Sequence, residues 1–344
     1  MPVKTAVVGA GRMGDEHLGQ LGTIPDAEVV ALMDPIGENA NEISEKHGIT
    51  GVYHDLETML AVASPEYVIV ASPPKYHAEQ AIAAMESGAH VLVEKPLCIT
   101  IEEAEAIETT AKREGRLFTM GVQRRQSRSM RTLKQYIDEG MLGDIYHSRV
   151  WGGHIMSYAW GQYHHRKEMS LGGVVAATTV HTLDACIWLI GAPQPVSVSA
   201  SMFRRLDKMK DPFVSFDGTA ADSTVEDFAH AHVRFADGSS MSVEGNWLMH
   251  PTSRSAGYEI FGVNGVAREE EPYLELEKGN DVYPVELTEE PELGNHIRQE
   301  HVEFLDVIKG KGRPIVTFRE ALAVQKILVG VYESAERGEE VKLC

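Results

Sequence analysis

Short apolar segments alternate with longer stretches of helical periodicity over the first third of the chain. The apolar segments cover residues 3–8, 29–33, 67–71, 90–93 and 117–120. Between them, helical patterns begin near Arg12, Leu56, Tyr76 and Ile101. Strands that are apolar throughout and are separated by helical patterns are typical of a parallel sheet with crossover helices. The pattern therefore predicts an α/β domain over residues 1–122.

The pattern changes after residue 122. A long strand is expected at 145–151, and alternating residues with turn signals such as Ala236-Asp237-Gly238 run from 195 to 285. Such alternation predicts a large, mostly antiparallel open sheet. Helices are expected near 129–139, 173–190, 296–309 and 319–337. We therefore predict a second, α+β domain over residues 123–344, whose last helix packs back on the first domain.

Length and charge agree with this division and exclude one class of partner. A chain of 344 residues is longer than the chain that one ordinary hydrophobic core serves, which favours two domains. The composition, 43% hydrophobic and 24% charged, is that of a globular protein. The formal net charge of −19 repels phosphate backbones, so nucleic acid is not an expected partner.

The same sequence gives expectations about location and metal binding. No stretch approaches the roughly 20 apolar residues of a membrane span, and the N-terminus enters the first strand pattern without a leader pattern. We therefore expect a cytoplasmic protein with no membrane partner. The scattered Cys98, Cys186 and Cys344 form neither a disulfide framework nor a thiolate metal site. The loop histidines lack a carboxylate or thiolate set at ligand spacing, so no catalytic metal is expected.

A glycine-rich segment joins the first predicted strand to the first helix. In Gly9-Ala10-Gly11-Arg12-Met13-Gly14, the first glycine makes the tight turn and the second lets a pyrophosphate approach the backbone. The third glycine allows close packing of helix against strand, and the helix N-terminus offers N–H groups to the anion. A glycine turn in a nucleotide-free α/β fold is the alternative.

Asp34 ends the second predicted strand, 20 residues beyond Gly14, where a carboxylate accepts hydrogen bonds from the adenosine ribose. No Lys or Arg lies between Asp34 and Ala40 to hold a 2′-phosphate. The segment therefore predicts a Rossmann domain that binds NAD in preference to NADP.

Several motifs, in one order and spacing, carry a resemblance to a known family. They are GAGRMG at 9–14, Ser72-Pro73-Pro74 with His77, AHVLVEKPL at 89–97, GVQRR at 121–125, LGG with HTLDACIWLIG over 171–191, and HVEF at 301–304. The chain resembles the glucose–fructose oxidoreductase and inositol dehydrogenase (Gfo/Idh/MocA) family over essentially its whole length. The resemblance implies NAD(P)-linked chemistry on a hydroxyl of a carbohydrate-like substrate. It also implies a homodimer or homotetramer built on the C-terminal sheet.

The resemblance assigns roles to individual residues. It implies that Lys95 and His181 are catalytic: Lys95 stabilises charge on the reacting oxygen, and His181 acts as acid and base. A surface lysine and a packed helix histidine are the alternatives. Further expected cofactor contacts are Arg12, Met13, Ser72, Pro73, His77, Glu94, Lys95 and Gln123. Expected substrate contacts are Arg124, Trp151, His154, Tyr163, His165, Arg166 and Asp184.

The chain departs from the family pattern at one point and leaves other assignments open. Many relatives carry Asp four residues before the catalytic histidine, where this chain has Ala177. Asp184 lies on nearly the same helical face, and our hypothesis is that it substitutes. The pair Arg124 and Arg125 cannot be separated into a binding and a structural arginine.

The aromatic and histidine-rich loop 151–167 forms either a wall of the substrate site or a subunit contact. Within it, Arg166 and Lys167 either bind an anionic group or are an exposed charge pair. The favoured function is a dehydrogenase for a hydroxyl of a sugar, glycoside or inositol-like polyol. One alternative is an NAD-dependent glycosidase that passes through a keto-sugar and recycles its cofactor. The other is a sugar- or NAD-sensing regulator without activity.

Overall fold

The chain forms two compact units. The computed structural model describes residues 1–153, 163–208, 222–248, 256–271, 273–279, 281–287 and 294–343. The first unit combines Met1–Gln126 with Glu292–Ala321, and the second combines Ser127–Pro291 with Leu322–Cys344. The structure thus places the boundary at Gln126 rather than at residue 122, and it returns a late segment of the chain to the first unit.

The first unit contains a six-stranded parallel sheet with crossover helices. Its strands are β1 (Val3–Val8), β2 (Ala27–Met33), β3 (Val52–Tyr53), β4 (Tyr67–Val70), β5 (His90–Glu94) and β6 (Phe118–Gly121). Its crossover helices are α1 (Arg12–Leu21), α2 (Gly37–His47), α3 (Leu56–Ala63), α4 (His77–Glu86) and α5 (Ile101–Glu114). The strand order β3-β2-β1-β4-β5-β6 is that of a dinucleotide-binding Rossmann domain. The predicted α/β fold is therefore confirmed.

The register of this sheet aligns the carboxyl ends of its strands. Val8 of β1 lies opposite Met33 of β2 and Val70 of β4, and Val70 lies opposite Val93 of β5. Neighbouring strands lie about 4.8 Å apart, so β2 and β5 are separated by about 14 Å. The residues that follow these strands therefore form one row along a single edge of the sheet.

The second unit is built on a nine-stranded, mostly antiparallel sheet. Its strands are β7 (Ile145–Gly152), β8 (Pro195–Phe203), β9 (Phe228–Phe235), β10 (Ser240–Asn246), β11 (Gly257–Gly262), β12 (Gly265–Arg268), β13 (Leu274–Lys278) and β14 (Asp281–Pro284), with β15 (Val341–Lys342) at one edge. The order is β14-β13-β12-β11-β7-β10-β9-β8-β15. β7 lies in the middle, parallel to β10 and antiparallel to β11. The predicted open sheet is confirmed, although it is not a simple meander.

One face of this sheet is buried and the other is more open. In β9, Ala229, Ala231, Val233 and Phe235 are buried, whereas His230 and Arg234 between them are exposed. The helices of this unit are α6 (Arg128–Asp138), α7 (Lys167–Ser170) and α8 (Val180–Leu189), and a π-helical turn, Val175–Thr179, precedes α8. Within the described residues, Lys167–Leu189 is the one helical stretch long and apolar enough to cross a membrane. Since 94% of its apolar window is buried inside the protein, it has the character of a core helix.

The last two helices divide between the units. α9 (His296–Ile308) lies in the first unit, where Phe304 and Leu305 join the core around Tyr67. α10 (Phe318–Arg337) lies mainly in the second unit. The packing of the last helix on the first domain stays a prediction, whereas α9 contributes its apolar side chains to the core beside α1.

The start of α5 gives a testable stability prediction. Thr100 accepts a hydrogen bond from the backbone N–H of Glu103 at 3.1 Å, and the Glu103 carboxylate accepts one from the N–H of Thr100 at 3.1 Å. Removing a cap of this kind costs about 1 kcal/mol. We expect Thr100→Ala to lower the free energy of unfolding by about 1 kcal/mol in urea titrations. Thr109→Ala, on the exposed face of the same helix, is the control, and an equal effect of both changes would contradict the prediction.

Candidate active site

The glycine-rich loop after β1 meets two different requirements. Gly9 has φ +103°, and a Cβ there would lie 2.8 Å from the carbonyl group of Ala71. A Cβ on Gly14 would lie 1.9 Å from the carbonyl oxygen of Gly9. By contrast, a Cβ on Gly11 would meet nothing within 4 Å. The fold therefore requires Gly9 and Gly14, whereas the space at Gly11 remains for a ligand.

Helix α1 begins at this open space. Gly11 is its N-cap and supplies no side-chain hydrogen bond to the first turn. Gly11 and Arg12 are exposed, and Met13 is half-buried. Because the first N–H groups of a helix have no partner within the helix, this end suits the pyrophosphate of a dinucleotide.

Asp34, directly after β2, is bound to the glycine loop. Its Oδ2 accepts a hydrogen bond from the N–H of Ala10, and its Oδ1 accepts one from the N–H of Ile36, each at 2.8 Å. The residue is 8% exposed. A carboxylate offers about four acceptor positions, so further hydrogen bonds from ribose hydroxyls are compatible with these two contacts. The residues of this edge therefore fit NAD.

Ser72, Pro73 and His77 follow β4, but the structure gives them different surroundings. The hydroxyl of Ser72 donates a hydrogen bond to the side-chain oxygen of Gln80, and Pro73 is half-buried. His77 is 1% exposed, and its ring nitrogens lie 2.7 Å from the carbonyl oxygen of Ser72 and 2.9 Å from that of Pro96. Burial lowers its pKa. His77 therefore joins the loops after β4 and β5, and a supporting role behind the cofactor is more consistent with its burial than direct contact.

Lys95 follows β5 and is half-buried, with a cis peptide to Pro96. The preceding Glu94 is buried. Its Oε1 lies 3.0 Å from Nε2 of His17, and its Oε2 accepts a hydrogen bond from the N–H of Lys95 at 3.1 Å. Burial raises the pKa of Glu94, but the hydrogen bond from His17 and the charge of Lys95 oppose it, and the pKa is lowered. Glu94 therefore supports the backbone of Lys95. The sequence did not identify His17 as the partner of Glu94.

The two arginines after β6 are now distinguished. Arg125 is fully buried and forms an ion pair with Glu320 at 2.8 Å, with a further hydrogen bond to the carbonyl of Ile315. Gln123 and Arg124 are half-buried. Arg125 is thus the structural arginine, and Arg124 remains the one expected to bind substrate.

In the second unit, His181 lies in the first turn of α8 and is half-buried. Asp184 is fully buried in the same helix. The π-helical turn immediately before α8 changes the spacing of residues along the helix, so the family's pairing four residues before His181 does not follow ordinary α-helical geometry. Both Ala176 and Ala177 are buried alanines, and neither supplies a carboxylate. Because Asp184 is fully buried, a structural role within the helix is favoured over direct contact with substrate.

A carboxylate that the sequence did not identify holds the start of this helix. Glu226 accepts hydrogen bonds from the N–H groups of Gly173 at 2.8 Å and Val175 at 3.0 Å. The hydroxyl of Tyr332 donates to the same carboxylate at 3.0 Å and accepts from the N–H of Ala176. Burial raises the pKa of Glu226, although these hydrogen bonds oppose the shift. The contacts satisfy backbone donors that are otherwise without partners at a helix N-terminus.

The LGG motif at 171–173 is explained by the same neighbours. A Cβ on Gly172 would lie 2.0 Å from the ring of Tyr332, and one on Gly173 would lie 2.0 Å from the carbonyl oxygen of Glu226. The two glycines therefore let Tyr332 and Glu226 reach the backbone. The motif is a packing requirement of the helix that carries His181.

The expected substrate residues of loop 151–167 are partly described. Trp151 is half-buried, and its carbonyl accepts a hydrogen bond from Thr182, beside His181. His165 is buried, Arg166 is exposed, and Tyr163 contacts the ring of His164. Lys167 is exposed and forms an ion pair with Glu336. His154, also expected to contact substrate, lies outside the described residues.

Among the residues that the structure describes, no group of three or more His, Cys, Asp or Glu side chains is placed to hold a metal ion. The carboxylates of Asp34, Glu94 and Glu226 instead accept hydrogen bonds from backbone N–H groups. The first unit therefore carries a dinucleotide-binding edge, and the second unit carries a half-buried histidine in the first turn of α8.

Comparison with known proteins identifies the family. Residues 3–122 match the oxidoreductase family with an NAD-binding Rossmann fold, and residues 130–268 match the GFO/IDH/MocA C-terminal domain. The chain belongs to the Gfo/Idh/MocA family. It is therefore an NAD-binding oxidoreductase, and the resemblance inferred from the motifs is confirmed.

Individual relatives extend along most of the chain. D-glucoside 3-dehydrogenase from Escherichia coli K12 is 27% identical over 99% of this chain and 98% of its own length. scyllo-Inositol 2-dehydrogenase (NAD⁺) from Bacillus subtilis is 27% identical over 76% of this chain and 72% of its own length. Among solved structures, an oxidoreductase domain protein from Kribbella flavida covers 100% of this chain and 99% of its own, with a TM-score of 0.84 and 21% identity. That structure supports the fold.

The glycine loop generates a prediction that separates folding from cofactor binding. Gly11→Ala introduces a methyl group into open space at an ordinary φ of −81°, so we expect unfolding free energy to change by less than about 1 kcal/mol. NAD affinity is expected to fall about tenfold or more, because the methyl group occupies the approach of the pyrophosphate. Gly14→Ala is expected to cost about 1–3 kcal/mol of stability. Calorimetric titration with NAD and urea denaturation measure the two effects, and unchanged NAD binding by Gly11→Ala would contradict the assignment.

The lowered pKa of Glu94 predicts how stability depends on pH. Its folded pKa lies below the ordinary value of 4.5, so the ionised carboxylate contributes stability above pH 4.5, and this contribution is lost as the pH falls through the folded pKa. We expect Glu94→Gln to be less stable than the wild type at pH 7, with the difference shrinking on acidification. Urea titrations from pH 7 down to about pH 3 measure this, and a difference that stays constant below pH 4.5 would refute it.

Proposed function

We propose that the protein oxidises a ring hydroxyl of a sugar, glycoside or inositol-like polyol with NAD as the hydride acceptor. The single observation that carries the proposal is the row of groups at the carboxyl edge of the parallel sheet. Asp34 after β2, the glycine loop after β1, Ser72 after β4 and Lys95 after β5 follow one another in the order of the strands. Ligands of open α/β sheets bind at this edge, where strand order reverses.

Lys95 lies about 14 Å along the edge from Asp34, by the strand spacing. An ammonium group placed at the reactive end of a bound dinucleotide donates hydrogen bonds to a hydroxyl oxygen and stabilises negative charge as it develops. We assign Lys95 this role. NAD, when bound, supplies the carbon that accepts hydride.

We assign to His181 the transfer of the proton of the substrate hydroxyl. A neutral imidazole accepts the hydroxyl proton during oxidation and returns it during reduction. The contacts of Glu226 and Tyr332 hold the start of its helix, which limits the positions that the ring can adopt. Asp184, buried one turn further along, is assigned to this helix as a supporting group rather than as a substrate ligand.

Two relatives suggest the substrate class. The name of D-glucoside 3-dehydrogenase specifies a ring hydroxyl of a glycoside, and this relative matches the chain almost from end to end. The inositol dehydrogenase acts on a cyclic polyol. Arg124, Trp151, Tyr163, His165 and Arg166 are proposed to contact such a ring through hydrogen bonds and aromatic faces, together with His154.

Assembly and location complete the proposal. The outer face of the nine-stranded sheet carries half-buried and exposed side chains such as Arg149 and Phe261, which lie 5.1 Å apart as a cation–π pair. A second copy of the chain on this face would form a homodimer, and two dimers a homotetramer. Cys98 and Cys186 are buried free thiols, which agrees with a reducing cytoplasm.

Turnover is the direct test. We expect the purified protein to form NADH from NAD with at least one member of a panel of free sugars, inositols and glycosides. Lys95→Met should lower kcat by about a hundredfold or more, since a charge-stabilising donor contributes about 10²–10³. Lys112→Met is the matched control, because it removes an exposed lysine that pairs only with Glu108 on α5, and its kcat should stay within about twofold of wild type.

The same panel separates the rival functions. Release of sugar from a glycoside that requires NAD without net NADH formation would replace the dehydrogenase by a glycosidase. Binding of NAD and sugar with no turnover of any kind would favour a sensing protein and overturn the proposal. Native mass measurement reports whether the protein is a dimer or tetramer.

A further inference from the structure

A buried chain of four side chains runs from Glu94 into the core of the first unit. Glu94 contacts Nε2 of His17 at 3.0 Å, Nδ1 of His17 contacts Nε2 of His301 at 2.9 Å, and Nδ1 of His301 contacts the hydroxyl of Tyr67 at 2.9 Å. The last three residues are 0% exposed and Glu94 is 7% exposed. The four residues, called here the Glu94 chain, come from β5, α1, α9 and β4.

The Glu94 chain has a preferred direction. Burial lowers the pKa of His301 well below its ordinary value, so its ring is neutral, while burial raises the pKa of Tyr67 and keeps its hydroxyl protonated. With the Tyr67 hydroxyl as donor, His301 accepts at Nδ1 and donates from Nε2 to His17, which in turn donates from Nε2 to Glu94. Every hydrogen in this arrangement points towards the carboxylate, and successive hydrogen bonds of this kind strengthen one another.

The carboxylate at the end of this chain is held on its other sides as well. Oε2 accepts the backbone N–H of Lys95, and Gly121 on β6 faces the carboxyl group, where a Cβ would lie 3.0 Å from Oε1. Glu94 therefore has little freedom to adopt a second conformation. Its two oxygens link the backbone of Lys95 to helix α1, whose N-terminus we assign to the pyrophosphate.

We propose that Glu94 is a positioning residue for Lys95, and that the buried chain behind it keeps the carboxylate ionised and in one orientation. The inference rests on the proposed catalytic role of Lys95. It follows that the lysine and the pyrophosphate-binding helix keep a fixed separation, since both are attached to the same carboxylate. A small displacement of a reacting group has a large effect on rate, which gives the arrangement a function beyond packing.

Stability alone is a weak explanation for this chain. Four polar side chains in a core carry a desolvation cost. Replacing such groups with apolar residues of similar volume often leaves a protein as stable as before or makes it more stable. A buried ionised carboxylate beside a proposed catalytic lysine is instead typical of functional sites. The position of the chain, ending at the residue directly before Lys95, favours positioning.

The test compares two changes at opposite ends of the chain. Glu94→Gln removes the charge, and we expect kcat to fall about ten- to hundredfold, with KM for the sugar and the NAD dissociation constant changed by less than about threefold. Glu94→Asp keeps the charge and should retain more activity than Glu94→Gln. Tyr67→Phe removes only the last hydroxyl of the chain and keeps the ring that packs on Phe304, so we expect a smaller loss of kcat than in Glu94→Gln. Lys112→Met, which changes an exposed lysine on α5 outside the chain, is the control, and its kcat should stay within about twofold of the wild type.

A spectroscopic measurement reads the chain directly. ¹⁵N NMR of the histidine rings should show the proton shared between His17 and His301 on Nε2 of His301, and the proton shared with Glu94 on Nε2 of His17, in the wild type. In Glu94→Gln the side-chain amide has to donate to His17 if its oxygen still accepts the N–H of Lys95, so both rings should become protonated at Nδ1 instead. Unchanged tautomers would show that the carboxylate does not set the direction of the chain and would overturn the proposal.

The kinetic outcomes are equally distinct. Wild-type activity together with an unchanged kcat in Glu94→Gln would overturn the inference and leave the proposed function intact. A loss of kcat that only follows lost NAD binding or lost thermal stability would overturn it as well. Absence of wild-type turnover across the whole panel would instead be a failure of the proposed function, independent of the tautomers.

Discussion

The alignment of strand ends in the parallel sheet is the constraint on which the rest of the first unit depends. Because Val8, Met33, Val70 and Val93 share one row, everything that follows these strands emerges at the same edge. Residues distant in sequence, such as Asp34 and Lys95, which are 61 positions apart, are thereby ordered along a line. The hydrogen bonds of Asp34 to the glycine loop and of Glu94 to α1 then secure this order locally.

In the second unit, the main constraint is the burial of α8, the helix that carries His181. The helix begins with glycines, passes through a π-helical turn and is almost entirely buried. Its first N–H groups find partners in Glu226 and Tyr332, which come from distant parts of the chain. Buried backbone donors need partners, so a single internal carboxylate makes a buried helix start possible.

Sequence patterns predicted those features that depend on local spacing. The Rossmann strands, the glycine loop and Asp34 follow from periodicity and from one short motif, because each is defined within a few residues. α2 and β3 were missed: α2 buries only Ala40 and Ser44, and β3 has two residues, so neither has a clear apolar pattern.

The features that sequence could not predict depend on contacts between distant segments. Arg125 is distinguished from Arg124 only by Glu320, which lies 195 residues away. Glu226 and Gly173 are separated by 53 residues. His17 did carry a signal, since a histidine on the core-facing side of the helix after the glycine loop needs a buried partner. The π-helical turn changes the number of residues per turn before His181. The sequence alone therefore does not show on which face of the helix Ala177 lies relative to His181.

The division of the first unit between the two ends of the chain has a consequence for biosynthesis. Residues 292–321 supply Phe304, Leu305 and His301 to a core that otherwise consists of residues 1–126. During translation the N-terminal segment emerges long before these residues leave the ribosome, so its apolar surface stays uncovered while residues 127–291 of the second unit are being made. The nucleotide-binding unit is therefore completed late, although most of it is encoded first, and a fragment ending at residue 126 would expose the same surface to aggregation.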